Sequence, residues 1–229
     1  MRKIIFTPNN YYHILNRGTD EKKVFLNKFD YQRFMTYLVV FNDSNIPPRN
    51  ISRLSRKFED IISLHNPDTR NSLVDILAFT LMPNHFHLFV REKEEKGISR
   101  LMHKVCMGYS RYFNLKNERK GNLWQGAFTA KLIDEQSYFV HIMSYIHLNI
   151  LDGFSPEWRR GKINNWREVE SKMRDYTWSS YSYYRTGKDK SGIVKLVLTQ
   201  PDWFSEYFPT HKSFENNIRL WASRHSDDQ

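Results

Sequence analysis

The sequence predicts an α+β fold: a ferredoxin-like βαββαβ antiparallel sheet with helices on one face, followed by a catalytic helix and a C-terminal extension. Three observations predict it. Strand-type runs alternate with apolar residues at helical spacing in the order β-α-β-β-α-β. A tight Met82-Pro83-Asn84 turn joins two of those runs into a hairpin. Apolar residues make up 40% of 229 positions, enough for one substantial core.

The elements follow in order. Tyr11 to Arg17 is β-prone and closes at Gly18. Asn27 with Asp30 three residues on is a helix-start signal, and Tyr31, Phe34, Met35, Leu38 and Phe41 recur behind it at helical spacing. Leu73 to Leu81 and His85 to Arg91 are the two arms of the hairpin. After Gly97 a second helix sets Ile98, Leu101, Met102, Val105, Tyr109, Tyr112 and Phe113 on one face. Ala127 to Ile133 is a fourth strand, and Asp134 can cap a helix running to about Asn149, with Phe139, Ile142, Met143 and Ile146 as its core face.

Two stretches fall outside this pattern. Residues 42–72 carry Pro47-Pro48 and then Ile51, Leu54, Phe58, Ile61 and Ile62 at helical spacing, with Arg53, Arg56 and Lys57 between them. They read as an inserted basic helix, either a DNA-contacting arm or a packed excursion. Beyond residue 150 the chain is basic, then aromatic around Trp178 and Trp203. The expected division is a catalytic domain over 1–150 and a basic, aromatic extension over 151–229 packed on it.

Charge narrows the function. Lys and Arg number 35 against 25 Asp and Glu, a net charge of +10, so the surface attracts polyanions. Aromatics interleave with cations in Arg111-Tyr112-Phe113 and Tyr181-Ser182-Tyr183-Tyr184-Arg185, as bases and phosphates would require. The bland alternative is a basic surface over an aromatic core. No apolar run is long enough to span a bilayer, so no membrane partner is expected. The first residues lack the length and cleavage site of a signal peptide. A single cysteine, Cys106, excludes an internal disulfide or a multi-cysteine zinc site. A reduced, cytoplasmic setting is expected.

His85 and His87 are the first candidates for chemistry. Two apart on a strand, they project to one face while Phe86 enters the other layer. Two neutral imidazoles make half a metal site. With nine histidines in the chain, the motif alone favours ordinary strand histidines. Tyr145 and Asn149 stack four apart on the last predicted helix, beside its apolar face, offering a phenol and an amide oxygen near the sheet edge. Spacing alone weighs equally the reading in which Tyr145 packs and Asn149 caps. Tyr138, two turns earlier, is the alternative nucleophile. Tyr109 and Tyr112 suit the core, His13 suits packing or hydrogen bonding, and a base role for His141 has little to support it. Trp124 and Phe128 could stack on bases, but core packing is the better-supported use.

Four segments occur in order: Tyr-His-Ile-Leu-Asn-Arg-Gly (12–18), Leu-Met-Pro-Asn-His-Phe-His-Leu (81–88), Gly-Asn-Leu-Trp-Gln-Gly-Ala-Phe (121–128) and Tyr-Ile-His-Leu-Asn (145–149). Together with Tyr-Thr-Trp-Ser-Ser-Tyr (176–181), they resemble the REP-associated tyrosine transposases, within the HUH single-tyrosine superfamily. The resemblance implies that His85, His87 and Asn149 bind Mg²⁺ or Mn²⁺ and that Tyr145 is the nucleophile. It further implies a single-stranded, hairpin-forming DNA partner, a 5′-phosphotyrosine intermediate, and either a monomer or a homodimer. A metal would neutralise the phosphodiester and orient it. Because phenols titrate near 10, a nearby cation or base must favour the phenolate. Ile150 departs from the proline that many relatives carry there, and the 42–72 insertion is a second departure. Two other readings stay open: a domesticated hairpin DNA or RNA binder that does not cut, and a hydrolase in which water attacks.

Overall fold

Strand alternation decides this architecture, because both faces of the central sheet are apolar and both must be covered. A computed structural model of the chain describes residues 4–45, 70–135 and 137–224. Strand β1 (Tyr11–Arg17) leads to helix α1 (Lys28–Phe41), strands β2 (Val74–Met82) and β3 (His85–Glu92), helix α2 (Gly97–Lys116), strand β4 (Thr129–Ile133) and helix α3 (Ser137–Leu148). The sheet order is β2-β3-β1-β4, with every neighbouring pair antiparallel. Strands β1 and β2 therefore run parallel with β3 between them, the split βαβ arrangement expected.

Local chemistry sets the boundaries. Asn27 accepts from the Phe29 amide, and Asp30 reaches back to the Leu26 and Asn27 amides at 2.8 and 3.3 Å, so the expected N-terminal signal of α1 forms a full capping box. Helix α2 starts after Lys96 in the left-handed region, with Glu92 of β3 accepting from the Ile98 amide at 2.8 Å. Helix α3 begins at Ser137, three residues later than Asp134, and passes into a 3-10 turn over Asn149–Gly153.

The two faces carry different layers. Tyr12, Ile14, Phe86, Leu88 and Val90 form a core with Phe34 and Leu38 of α1 and Leu101, Val105 and Tyr109 of α2. Phe89, with Leu77 and Ala78 of β2, packs instead against Phe139, Ile142, Met143 and Ile146 of α3. A register shift between Ile76 and Ala78 lets both Leu77 and Ala78 serve this second face. The connecting helices α1 and α2 thus share one face, and α3 covers the other.

After α3 the chain adds α4 (Trp166–Asp175), α5 (Tyr181–Thr186), α6 (Val194–Val197), α7 (Phe204–Tyr207) and α8 (His211–Arg224); α4, α5, α7 and α8 complete this second layer, whereas α6 returns Val194 and Val197 to the core under α1 and α2. Segment 176–181 also closes the free edge of β2. Leu81 donates to the Trp178 carbonyl at 2.9 Å, Ser180 donates to the Phe79 carbonyl at 3.0 Å, and the Phe79 amide donates to Ser180 Oγ at 3.0 Å. Tyr176 Oη adds a bond to the Leu81 carbonyl at 2.6 Å. An exposed strand edge is thereby satisfied. The base of the 42–72 excursion is pinned by Asn42, whose side chain donates to the Val74 carbonyl and accepts from its amide at 2.9 and 3.0 Å. The basic helix expected there lies outside the described residues. Among the described residues no helix is long and apolar enough to cross a membrane.

His147 locks α3 to the later helices. Its Nε2 lies 2.7 Å from Ser180 Oγ, and its ring meets Phe214 at 5.5 Å. Burial pushes its pKa from 6.5 down to about 3. Above pH 6.5 the ring is neutral in folded and unfolded chain alike. Below it, only the unfolded chain takes up the proton, so stability falls as pH drops from 6.5 towards 3, on the order of 1 kcal/mol per unit. Chemical denaturation at several pH values should show this slope flattening by about one proton in His147→Gln; an unchanged slope would mean the ring is already solvated.

Candidate active site

The face under α3 is where the polar residues gather. Period two places Tyr11, His13, Leu15 and Arg17 of β1, with His85 and His87 of β3, on that side of the sheet. The β1–β3 register sets Arg17 across from His85 and Leu15 across from His87. This leaves His13 on the diagonal, with its Nε2 2.8 Å from His87 Nδ1 and the rings stacked at 5.1 Å. His85 Nδ1 lies 2.6 Å from Asn84 Oδ1, the turn residue just before it. The His85 and His87 rings are 5.0 Å apart and nearly perpendicular. With Nδ1 of both rings engaged, Nε2 is the nitrogen each would offer to a metal, the arrangement in which a second partner fixes the tautomer.

Helix α3 brings Tyr145 onto this cluster. Its ring stands edge-on to His87 and to His13, 5.7 Å from each. Tyr145 is half-buried. Asn149, one helical turn on, is 1% exposed. Its Nδ2 donates to the Tyr145 carbonyl at 2.7 Å, and its Oδ1 accepts from Arg159 Nη2 at 3.0 Å. Arg159 lies in the 3-10 turn Pro156–Arg160 and centres its guanidinium 5.8 Å from the Tyr145 ring. Asp152 holds it through Nε at 3.0 Å and Nη2 at 2.7 Å, and also accepts from Trp158 Nε1 at 2.8 Å.

The electrostatics are asymmetric. Burial, followed by the Lys131 charge, lowers the His13 pKa to about 4. Burial, then Arg17, does the same to His85. His87 is driven well below 6.5 by burial and then by its histidine neighbours. All three rings are therefore neutral near pH 7 and present lone pairs, not charges. Burial works against the Arg159 cation, but bonds to Asp152 and then Tyr145 outweigh it and raise its pKa. The fixed charge beside the phenol is thus Arg159.

Neutral imidazoles and an amide oxygen are the donor types a divalent cation accepts. Asn149 Oδ1 has a second lone pair beyond the one given to Arg159, so the two roles are compatible. Among the described residues no group of three or more His, Cys, Asp or Glu side chains could hold a metal by itself. An ion there would rely on Asn149 and on substrate or water oxygens.

Of the residues singled out from sequence, the structure sets His85 against His87 and His87 against Tyr145, and links Asn149 to Tyr145 by a hydrogen bond and through Arg159. His13 hydrogen-bonds, as expected. Tyr138 is 44% exposed and stacks on His141, whereas Tyr145 is the one whose ring meets His87. Sequence reasoning missed Arg159 and Asp152. Arg159 stood among several tail cations, and no spacing rule tells which of them a 3-10 turn folds back onto the helix.

Residues 55–149 match the family model described as Transposase IS200 like. The resemblance read from the sequence holds. Within the matched segment lie His85, His87, Tyr145 and Asn149; Arg159 lies beyond its end. Among solved structures, one similar chain is described as a REP-associated tyrosine transposase bound to a REP hairpin. Its TM-score is 0.47 at 14% identity, with 88% of this chain and 91% of that chain covered. No curated protein matches.

The site predicts a spectroscopic result. In the metal-free protein, the His13 and His85 rings should keep neutral-imidazole ¹⁵N shifts from pH 8 down to 5, because protonation waits until about pH 4. Titration midpoints near 6.5 would show the sandwich open to water.

Proposed function

We propose that this chain cuts and rejoins single-stranded DNA beside a hairpin through a covalent 5′-phosphotyrosine at Tyr145. One observation carries the proposal: the Tyr145 ring lies 5.7 Å from each ring of the His13–His87 pair and 5.8 Å from the Arg159 guanidinium. The net charge of +10 supports a polyanionic substrate, and the IS200-like match supports a DNA-processing activity.

His85, His87 and Asn149 would hold Mg²⁺ or Mn²⁺. When bound, such an ion would neutralise the phosphodiester charge and orient the scissile bond. The chain's own residues do the rest. Tyr145 Oη attacks phosphorus, losing its proton to solvent at the half-buried ring edge. Arg159 brings its positive charge to the attacking oxygen and then to the phosphate oxygens. The P–O3′ bond breaks and the leaving oxygen is protonated, giving a free 3′-OH. Attack by a 3′-OH on the phosphotyrosine reverses the step and releases Tyr145. One phosphodiester bond is exchanged for another, so no nucleotide is consumed. Asp152 is a positioning residue that aims Arg159.

A second reading, a hairpin binder that does not cut, draws on the Arg159 bond to Asn149 Oδ1, which takes one of that oxygen's two lone pairs. An adduct assay decides between them. Labelled hairpin DNA with unpaired flanks and Mn²⁺ should yield a protein–DNA species that survives denaturation and is absent for Tyr145→Phe. Hairpin affinity of that variant should stay within a few-fold of wild type, since basic contacts dominate it. Binding without any adduct selects the second reading, and cleavage without an adduct implicates water.

Arg159→Ala should slow adduct formation by about 10²–10³-fold, with Arg159→Lys recovering part of the rate. Single-turnover kinetics would measure both. An Arg159→Ala rate equal to wild type would remove this residue from the chemistry.

A further inference from the structure

The motif at 121–128 plays no part in strand transfer as described above. All of its residues except Gln125 line one cavity of about 550 Å³, closed on the other side by α2 and by Asn16 of β1. A second cavity of about 320 Å³ shares Asn16, Gly126 and Ala127 with the first and continues along Leu15 and Arg17. Arg17 lies directly across from His85 in the sheet register. The two hollows adjoin at Asn16, Gly126 and Ala127, at the end of β1 nearest His85.

The lining has a consistent chemistry. Met102, Met107, Leu123, Trp124 and Phe128 give flat, polarisable, apolar walls. Asn16, His103, Ser110 and Asn122 place hydrogen-bonding groups among them, and no Asp or Glu is among the lining residues. Arg119 donates to the carbonyl of the lining residue Asn122 at 2.8 Å, so a phosphate-bearing ligand meets a cation beside this loop. Met107 is 61% exposed and offers apolar surface at the rim.

The cavity is also built in advance. Asn114 donates to the Gly121 carbonyl at 2.9 Å, Arg119 to the Asn122 carbonyl at 2.8 Å, and Trp124 Nε1 to the Cys106 carbonyl at 3.2 Å. The Gln125 amide donates to the Arg17 carbonyl at 2.8 Å, and Asn16 Nδ2 to the Gly126 carbonyl at 3.2 Å. A loop tied at so many points loses little entropy when a ligand enters.

We propose that this cavity takes an unpaired nucleobase of the single strand that flanks the scissile phosphate. The inference rests on the DNA-processing reading above and adds a subsite to it. A base has a flat face for the methionine and aromatic walls and a polar edge for Asn16, His103, Ser110 and Asn122. A base paired within a duplex presents neither and does not enter.

Gly126 provides the variant. It lines both hollows, and a Cβ added there meets nothing within 4 Å, so Gly126→Leu adds a bulky side chain at their shared rim without a clash. The probes are a 20-nucleotide mixed-sequence DNA strand and its duplex, with the full-length chain and a chelator present so that binding is read without cleavage. Gly126→Leu should bind the single strand about tenfold more weakly than wild type and the duplex equally well. Cys106 is the chain's one cysteine and lines the cavity. The single strand should slow its alkylation by iodoacetamide about tenfold in wild type, and the duplex should not. Equal single-strand affinity of variant and wild type, or unchanged alkylation, overturns the proposal even if the Tyr145 adduct forms. Strand-specific loss and protection with no adduct under Mn²⁺ would leave this subsite standing and remove strand transfer.

Discussion

The structure depends on one constraint: the central sheet is covered on both faces. Strand alternation sends Phe86 and Leu88 into the core beneath α1 and α2, so His85 and His87 must point the other way. Were that side open, the imidazoles would be ordinary solvated groups. Because α3 lies over it, they are 8% and 5% exposed, lose their affinity for protons, and become neutral donors fixed by Asn84 and His13. A one-residue slip in β3 would exchange Phe86 for its histidine neighbours and destroy both layers together.

The same covering sets the role of Tyr145. Ile142 and Ile146 face the sheet, and Tyr145 sits at the flank of that stripe. Its ring therefore reaches the histidines while staying half-buried, not sealed in the core as Tyr109 is. Tyr109 donates to the Val24 carbonyl, and burial first, then the Asp30 charge, raises its pKa far above the ordinary value. Such a phenol cannot become a nucleophile. Two tyrosines on two amphipathic helices thus take opposite uses from their angle to the core.

The sequence made the sheet legible because its cues are local: the capping box at Asn27, the turn at Pro83-Asn84, and the two-residue period that carries the histidines to one face. Tyr145 and Asn149 were legible through helical spacing. What stayed hidden is non-local. That α3 crosses to the opposite face from α1 and α2 follows from how two cores divide the apolar residues, with a bulge at Ile76/Ala78 that no pattern announces. His13 was visible only as a strand histidine, since its partner is 74 positions away. Arg159 was one basic residue among many, placed by a 3-10 turn and the carboxylate of Asp152.

Arg159 and the neutral rings together explain why the chain beyond α3 is integral to the site. A site made only of His85, His87, Tyr145 and Asn149 would present donors for a cation but no fixed positive charge facing the phenol. The tail adds that charge through Pro156–Arg160, and it can do so at fixed geometry because Trp158, buried within the α3 layer, ties the same Asp152 that aims the guanidinium. Tyr181 and Tyr184 join that layer, while Ser180 closes the β2 edge and bonds to His147. Each contact that stabilises α3 on the sheet also holds Tyr145 against His87. Loosening the tail should therefore weaken fold and site in proportion, whereas removing the Arg159 head group alone should affect the chemistry and leave the fold nearly unchanged.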